Sequence, residues 1–426
     1  MPGLGWYWWD GRRWRQDDDG EALRRAKQAA RSILTEAQHL DDHDARKALL
    51  KWSVTSETKP RLEAAVSLAE SDLAVILRAD QLDNAPGLLT VQNGTVDLRT
   101  GELRDHARED RITQMVDLEY LPGAQSALWA RVLERACGRD PDMSAFVQRL
   151  AGYTATGEAS EDVLGFLHGP GATAKTTVIE AVKNALGEYA ATADFETFLR
   201  QHGDAGIRND IARLVGKRIV VSVEVDEGRR LAESLVKSIS GGDRITARFL
   251  YREAFEFRPA FVLWLVANAR PYVNAADEGI WRRIVQIPFL TVIPESERDP
   301  TLRHQLRDPE HAQAILAWIV QGAIDYYAHG LNIPQKVRDY TADYRHESDP
   351  LADWLADCAE LDPDAQTSTK DLRNSYEQWA EANGERPIDA KKLAAAFKAR
   401  GHTQTRTKTG RYWTGIRLAT QGGDDR

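Results

Sequence analysis

Residues 164–187 read LGFLHGPGATAKTTVIEAVKNALG. An apolar run ends in Gly169-Pro170-Gly171-Ala172-Thr173-Ala174-Lys175-Thr176-Thr177, and a helical pattern follows with Val178, Ile179, Val182 and Leu186 inward. Gly187 is the natural stop of that helix. Strand, glycine loop, Lys-Thr and helix form the context that a phosphate-binding loop requires. Backbone amides and the positive helix end can neutralise phosphate. Lys175 is placed to reach the β and γ groups, and the Thr176 hydroxyl to hold Mg²⁺. The pattern has glycine where this chain has Ala174, so a methyl stands where backbone meets phosphate. On this segment alone, a glycine-rich turn before an ordinary helix remains the alternative.

Two downstream strands carry matching chemistry. Gly216-Lys217-Arg218 leads into IVVSVEVDE, which ends in Glu224, Asp226 and Glu227. Nucleotide hydrolysis needs carboxylates at a strand end, one to hold Mg²⁺ and one to orient or deprotonate water. Glu224 is the metal candidate. A second strand, FVLWLVAN, ends in Asn268, whose amide can bond the attacking water and the γ-phosphate. Ile280-Trp281-Arg282-Arg283-Ile284 comes next, and an arginine at a nucleotide's edge stabilises charge developing in phosphoryl transfer. The alternative for Arg283 is a cap on the following strand, or a pair with Asp277 or Glu278.

In this order the segments resemble a superfamily-three AAA+ helicase, specifically the phage and plasmid primase-helicase family that includes the poxvirus primase-helicase. The stretches that carry the resemblance are NGTVDLRTGEL, GPGATAKTT, GKRIVVSVEVDEGRRL, SGGDRITARFLYREAFEF, LWLVAN and DEGIWRRIVQIPF. It implies ATP and Mg²⁺ as cofactors, Lys175 and Thr176 in the phosphate loop, and Glu224 and Asp226 in the acidic motif. Asn268 becomes the sensor and Arg283 the arginine finger, with Arg282 the second choice. The family usually has Asn-Gly where this chain has Thr173-Ala174. The resemblance also implies a hexameric ring moving 3′ to 5′ on single-stranded DNA and unwinding forks. Family members often carry a primase-polymerase domain ahead of the helicase. This chain starts at a tryptophan-rich hairpin, so priming is expected from a separate protein.

That start holds Trp6, Trp8, Trp9 and Trp14, with Asp10-Gly11 read as a tight type I′ turn. A hairpin docked on the next helices is favoured over one that stacks on bases. Leu23, Ala26, Ala30, Ile33, Ala37 and Leu40 give a helix, and another is expected after Pro60. LLTVQNGTVDLRTGEL, from Leu88, reads as a small β meander with turns at Asn93-Gly94 and Thr100-Gly101. The fold class expected is multidomain α/β. An N-terminal helical collar with the meander takes 1–122, a central AAA+ ATPase 123–340, and a C-terminal winged helix 346–420.

Two stretches are candidates for DNA contact. GGDRITARFLYREAFEFRP reads as a hairpin whose tip bears Tyr251, to stack on a sugar or base, and Arg252, to pair a phosphate. A solvent-facing hairpin is the alternative. Between Lys391 and Arg417 the chain has eight Lys/Arg and no Asp or Glu, including Lys391, Lys392, Lys398, Arg406, Lys408 and Arg411. Such local asymmetry is the footprint of phosphate binding, although a merely solvated basic face reads the same way.

The 426-residue length suggests about three domains, and the net charge of −9 argues against coating by nucleic acid outside such local faces. No apolar run approaches a membrane span, no signal peptide is visible, and Cys137 and Cys358 are too few for a disulfide framework or cysteine zinc site. A cytoplasmic protein in a bacterial or phage-infected cell is expected. The functional reading is an ATP-driven DNA helicase for a phage, plasmid or integrated element. A DNA-binding initiator or scaffold with a weak ATPase is the alternative.

Overall fold

The stretch FVLWLVA is apolar throughout because both of its faces are covered, as in the parallel sheets of α/β proteins. The computed structural model describes residues 5–78, 81–199, 209–223, 230–248, 254–275, 277–349, 351–383, 387–408 and 410–419. Five strands form the central sheet: β1 (Leu164–His168), β2 (Ala190–Thr192), β3 (Ile219–Val223), β4 (Val262–Ala267) and β5 (Ile284–Pro288). Their order is β5-β1-β4-β3-β2, and every neighbouring pair is parallel. Val262, Trp264 and Val266 pack on one face with helices α1 (Lys175–Leu186) and α4 (Pro309–His329). Leu263, Leu265 and Ala267 pack on the other, with α2 (Glu233–Ser240) and α3 (Glu278–Trp281). Helix α5 (Gln335–Glu347) lies along β5, where its Tyr344 joins the second cluster.

Behind α1, the helix Pro141–Thr156 crosses α4 at very short range. A Cβ on Gly152 would lie 2.0 Å from the Ala323 nitrogen, and one on Gly322 would lie 2.1 Å from the Gln148 oxygen. Glycine at both positions is what lets these helices meet. The meander forms as read, with strands Leu88–Val91, Gly94–Asp97 and Glu102–Arg104 paired in sequence order. Its Leu89, Val91, Val96 and Leu98 belong to the same buried cluster as α1 and α4, and the division at 122 runs through that cluster. Buried Arg218 ties the two parts together by donating to the carbonyls of Ala155 and Leu88, each at 2.6 Å.

The N-terminal hairpin pairs Trp9 with Trp14, which leaves a four-residue turn, not the expected two-residue one. The Asp10 carboxylate makes that turn by accepting from the Arg12 and Arg13 amides at 2.8 Å. The hairpin docks, but the hydrogen bonds of Trp14 go to the stretch after the meander and not to the next helices. Trp14 donates its amide to Ile112 and its indole N–H to Arg108, both at 2.8 Å, while Arg25 of the first helix lies over Trp8. Helices Glu21–Gln38, His43–Ser56 and Lys59–Ala69 come next, burying only Ala30, Ala37, Ser53 and Leu62.

The C-terminal part has its own core of Leu351, Trp354, Leu372, Tyr376, Ala380, Leu393, Phe397, Trp413 and Ile416. Helices Ala352–Cys358, Thr369–Ala382 and Ala390–Ala399 pack there with a three-stranded antiparallel sheet. In that sheet Arg411–Thr414 lies between Gln366–Ser368 and Gln404–Arg406. A short pair, Ala359–Glu360 with Arg417–Leu418, closes the unit. Among the described residues, no helix is long and apolar enough to cross a membrane.

Candidate functional site

The parallel sheet sends β1, β3 and β4 out at one edge, so the residues just beyond these three strands gather there. The glycine loop leaves β1 and enters α1 at Lys175. Lys175 is buried, and its ammonium donates to the carbonyls of Gly169 (2.6 Å) and Pro170 (2.7 Å) and to Thr173 Oγ1 (3.2 Å). Burial lowers its pKa from the ordinary lysine value. Thr176 and Thr177 occupy the first turn of α1, whose amides have no partner within a helix. Exposed Gly171 and Ala172 form the rim of the loop. The loop therefore joins a buried cation to the free amides of a helix start, an arrangement able to take a chain of phosphates.

Ala172 and Ala174 both adopt left-handed backbone, at φ 60° and 65°. Gly169 has a different reason to be glycine: a Cβ there would lie 2.0 Å from the Phe289 carbonyl oxygen.

The β1–β4 register pairs His168 with Ala267, so exposed Asn268 stands beside the start of the loop. The register Val223–Val266 brings the end of β3 alongside as well. Glu224, Asp226, Tyr251 and Arg252 lie outside the described residues. Strands Ile245–Arg248 and Ala254–Phe257, which lead to and from positions 251 and 252, pair as an antiparallel hairpin. Among the described residues, no group of three or more His, Cys, Asp or Glu could hold a metal ion.

Arg283 is placed differently from the expectation. Its side chain is 8% exposed, and its guanidinium donates to Ser240 Oγ (3.0 Å), the Gly279 carbonyl (2.7 Å) and the Asp162 carboxylate (3.2 Å). A group so enclosed within its own chain is not presented to a neighbour. Neither alternative acid takes it, because Asp277 pairs with Lys237 and Glu278 with Arg345. Arg282 is the outward one, 65% exposed, and among the described residues it pairs with Asp162 alone, at 3.6 Å.

Sequence reasoning missed a polar cluster at the end of β1. His168 Nδ1 hydrogen-bonds the Tyr340 hydroxyl at 2.9 Å. Arg270 stacks on Tyr340 and Tyr344, pairs with Glu347 at 2.5 Å and donates to Gln286 at 2.9 Å. His168, Arg270, Tyr340, Asp343 and Glu347 line a cleft of about 380 Å³. Burial, helped by the charges of Arg270 and Lys175, pushes the His168 pKa down to about 4. The only signal in the sequence was Arg270, two residues beyond the sensor position.

In the C-terminal unit Lys391, Lys392, Lys398, Arg406, Lys408 and Arg411 are all exposed. The other two basic residues of that run are held by acids, Arg400 by Asp349 and Arg417 by Glu360 and Asp362. Arg406 and Arg411 stand directly opposite each other across the strand pair, a repulsive placement that a bound anion would relieve. Cys137 is buried with its thiol pushed up to about 11, and Cys358 is also a free thiol.

Residues 1–138 match the family described as D5 N terminal like. "Putative helicase L207/L206" of Acanthamoeba polyphaga mimivirus is 26% identical over 327 residues, covering 71% of this chain and 34% of that protein. "Putative helicase 022R" of Frog virus 3 is 24% identical over 390 residues, 71% of this chain and 40% of that protein. "Putative primase C962R" of African swine fever virus is 24% identical over 328 residues, 71% of this chain and 34% of that protein. The chain thus spans 34–40% of the length of these relatives. The apo structure of the NrS-1 C terminal region aligns with 71% of this chain and 78% of that one, at 12% identity and a TM-score of 0.46. The protein is a multidomain α/β protein built on a parallel sheet. Its N-terminal match and its viral relatives make the chain similar to the primase-helicase family.

Proposed function

We propose that the chain is an ATP-dependent DNA helicase of superfamily three, with an AAA+ core and a C-terminal winged helix, serving replication of a phage, plasmid or integrated element. The observation that carries this reading is the glycine loop over buried Lys175, with Asn268 at the end of the adjoining parallel strand. The strand order β5-β1-β4-β3-β2 supports an AAA+ core, since the sensor strand lies between the loop strand and the strand leading to Glu224. The exposed basic residues of the C-terminal unit support contact with single-stranded and forked DNA. Hexameric assembly, 3′ to 5′ movement, a separate primase and a cytoplasmic location complete the reading by family.

In this mechanism Lys175 exchanges the Gly169 and Pro170 carbonyls for β- and γ-phosphate oxygens. Loop and first-turn amides hold the remaining phosphate charge. Thr176 and Glu224 would hold Mg²⁺, which neutralises charge on the phosphates when bound. Asn268 orients the attacking water, and Asp226 assists in its deprotonation. Arg282, paired among the described residues with Asp162 alone, reaches the nucleotide of the next subunit and stabilises γ-phosphate charge.

ATP turnover with and without single-stranded DNA tests the whole reading. Strong stimulation by DNA is expected, and Lys175→Ala should abolish turnover. Negligible turnover with DNA binding retained would instead select an initiator or scaffold, the second reading, which the alanine at position 174 favours. Arg282→Ala should bind ATP normally and lose roughly 10³-fold in turnover, as for arginine fingers generally. Mixing it with Lys175→Ala should restore part of the rate, because a mixed interface can join an intact loop to an intact arginine. Arg283→Ala should lower the melting temperature and gain nothing from mixing. Rescue of Arg283→Ala but not Arg282→Ala would return the role to Arg283.

A further inference from the structure

The segment after β5 runs along the outer flank of the glycine loop. Phe289 donates its amide to the His168 carbonyl, and Ile293 donates to the Ala172 carbonyl, each at 2.8 Å. Residues 289–293 therefore track residues 168–172 side by side. Phe289 is buried, whereas Leu290 and Val292 are 53% and 49% exposed. Two sizeable apolar side chains thus stand in solvent against the rim of a polar loop, on a backbone fixed to that loop at both ends.

Their position has a direction. On one flank of β1 lies β4, which carries Asn268; on the other lies β5, which continues into Leu290 and Val292. A nucleotide whose γ-phosphate faces Asn268 has its nucleoside at the opposite end of the phosphate chain, on the β5 side. We propose that Leu290 and Val292 are the platform on which the base of that nucleotide lies. This rests on reading residues 169–177 as the phosphate site. Neither side chain has a hydrogen-bonding group, so the platform holds the face of a ring and cannot read its edge. Binding a base there also removes apolar surface from water, the gain that an exposed leucine and valine lack in the free protein.

The test is displacement of a fluorescent ATP analogue from the full chain by ATP, GTP and inorganic tripolyphosphate. The double variant Leu290→Ser/Val292→Ser should weaken ATP and GTP alike, by roughly tenfold each, the order expected from lost apolar burial. Tripolyphosphate, which has no nucleoside, should bind as it does to the unaltered chain. Leu290→Met/Val292→Ile should keep nucleotide affinity, and melting temperatures will report any loss of fold. ATP binding within twofold of the unaltered chain would overturn the platform. Equal weakening of tripolyphosphate would overturn it too, by showing that the loop itself was deformed. Loss for one purine but not the other would mean that the base is held by its edge elsewhere. Failure of the unaltered chain to bind either ATP or tripolyphosphate, with Lys175→Ala no different, would mark failure of the phosphate-loop reading beneath it.

Discussion

Ala174 carries two burdens at once: a methyl at the mouth of the loop and a backbone angle, φ 65°, that L residues with a Cβ avoid. Ala172 shares the second burden at φ 60°. Strain at two of three successive positions is the kind that surrounding contacts must hold in place. Lys175 is one such contact, since its ammonium spans both carbonyls of the turn. Ala174→Gly should relieve the backbone and raise stability by ~1 kcal/mol, read as an upward shift of a few degrees in melting temperature. No shift, or a downward one, would mean that the loop holds alanine at no cost. The motif itself was legible because it is local: strand, loop and helix succeed one another in a continuous run. The strain was not, because a backbone angle has no letter. Nor was the choice between Arg282 and Arg283. Neighbours in sequence, they differ in burial because Ser240, from a distant part of the chain, and the Gly279 carbonyl enclose Arg283, while Asp162 lies beside both.

Helix α5 acts on the site from outside the loop. Tyr340 reaches the last residue of β1, and Arg270, just past β4, is clasped by Tyr340, Tyr344 and Glu347 of the same helix. One element thus fixes the ends of both strands that frame the site. The histidine in this clasp gives it a dependence on acid. A folded-state pKa of about 4, below the ordinary 6.5, means that the unfolded chain takes up a proton which the folded chain refuses. The stability linked to His168 is fully present above pH 6.5 and is lost as pH falls from there toward 4. Denaturation midpoints should therefore drop more steeply over that window in the unaltered protein than in His168→Gln. Parallel slopes would show that the folded histidine accepts its proton normally. Four of the five sheet strands were legible from their apolar runs, doubly covered as β4 is, whereas the short, half-exposed β2 was not. The grip of α5 was not, since its Gln-Lys-Val-Arg-Asp-Tyr opening reads as a solvent-facing helix and its partners lie some seventy residues or more earlier.

On the scale of the whole chain, the basic residues and the nucleotide site occupy separate cores. Truncation after Ser348 removes the exposed cations while sparing Glu347, the partner of Arg270. It should weaken binding to duplex DNA, flatten its dependence on salt, and leave basal ATP turnover intact. Loss of turnover together with binding would show that the segment supports assembly instead. Here the sequence was informative about composition, because eight cations without an acid need no structure to be noticed. It was silent about which of them are spent internally, since the acids that hold Arg400 and Arg417 lie tens of residues upstream. The same geometry has a practical side. Because Ala359–Glu360 pairs with Arg417–Leu418, the chain returns beside itself just after the first helix of this unit, and the stretch between the two strands is tied off like a loop of cord at its knot. A covalent bridge between positions 359 and 418 would therefore have to span little more than the width of one strand pair.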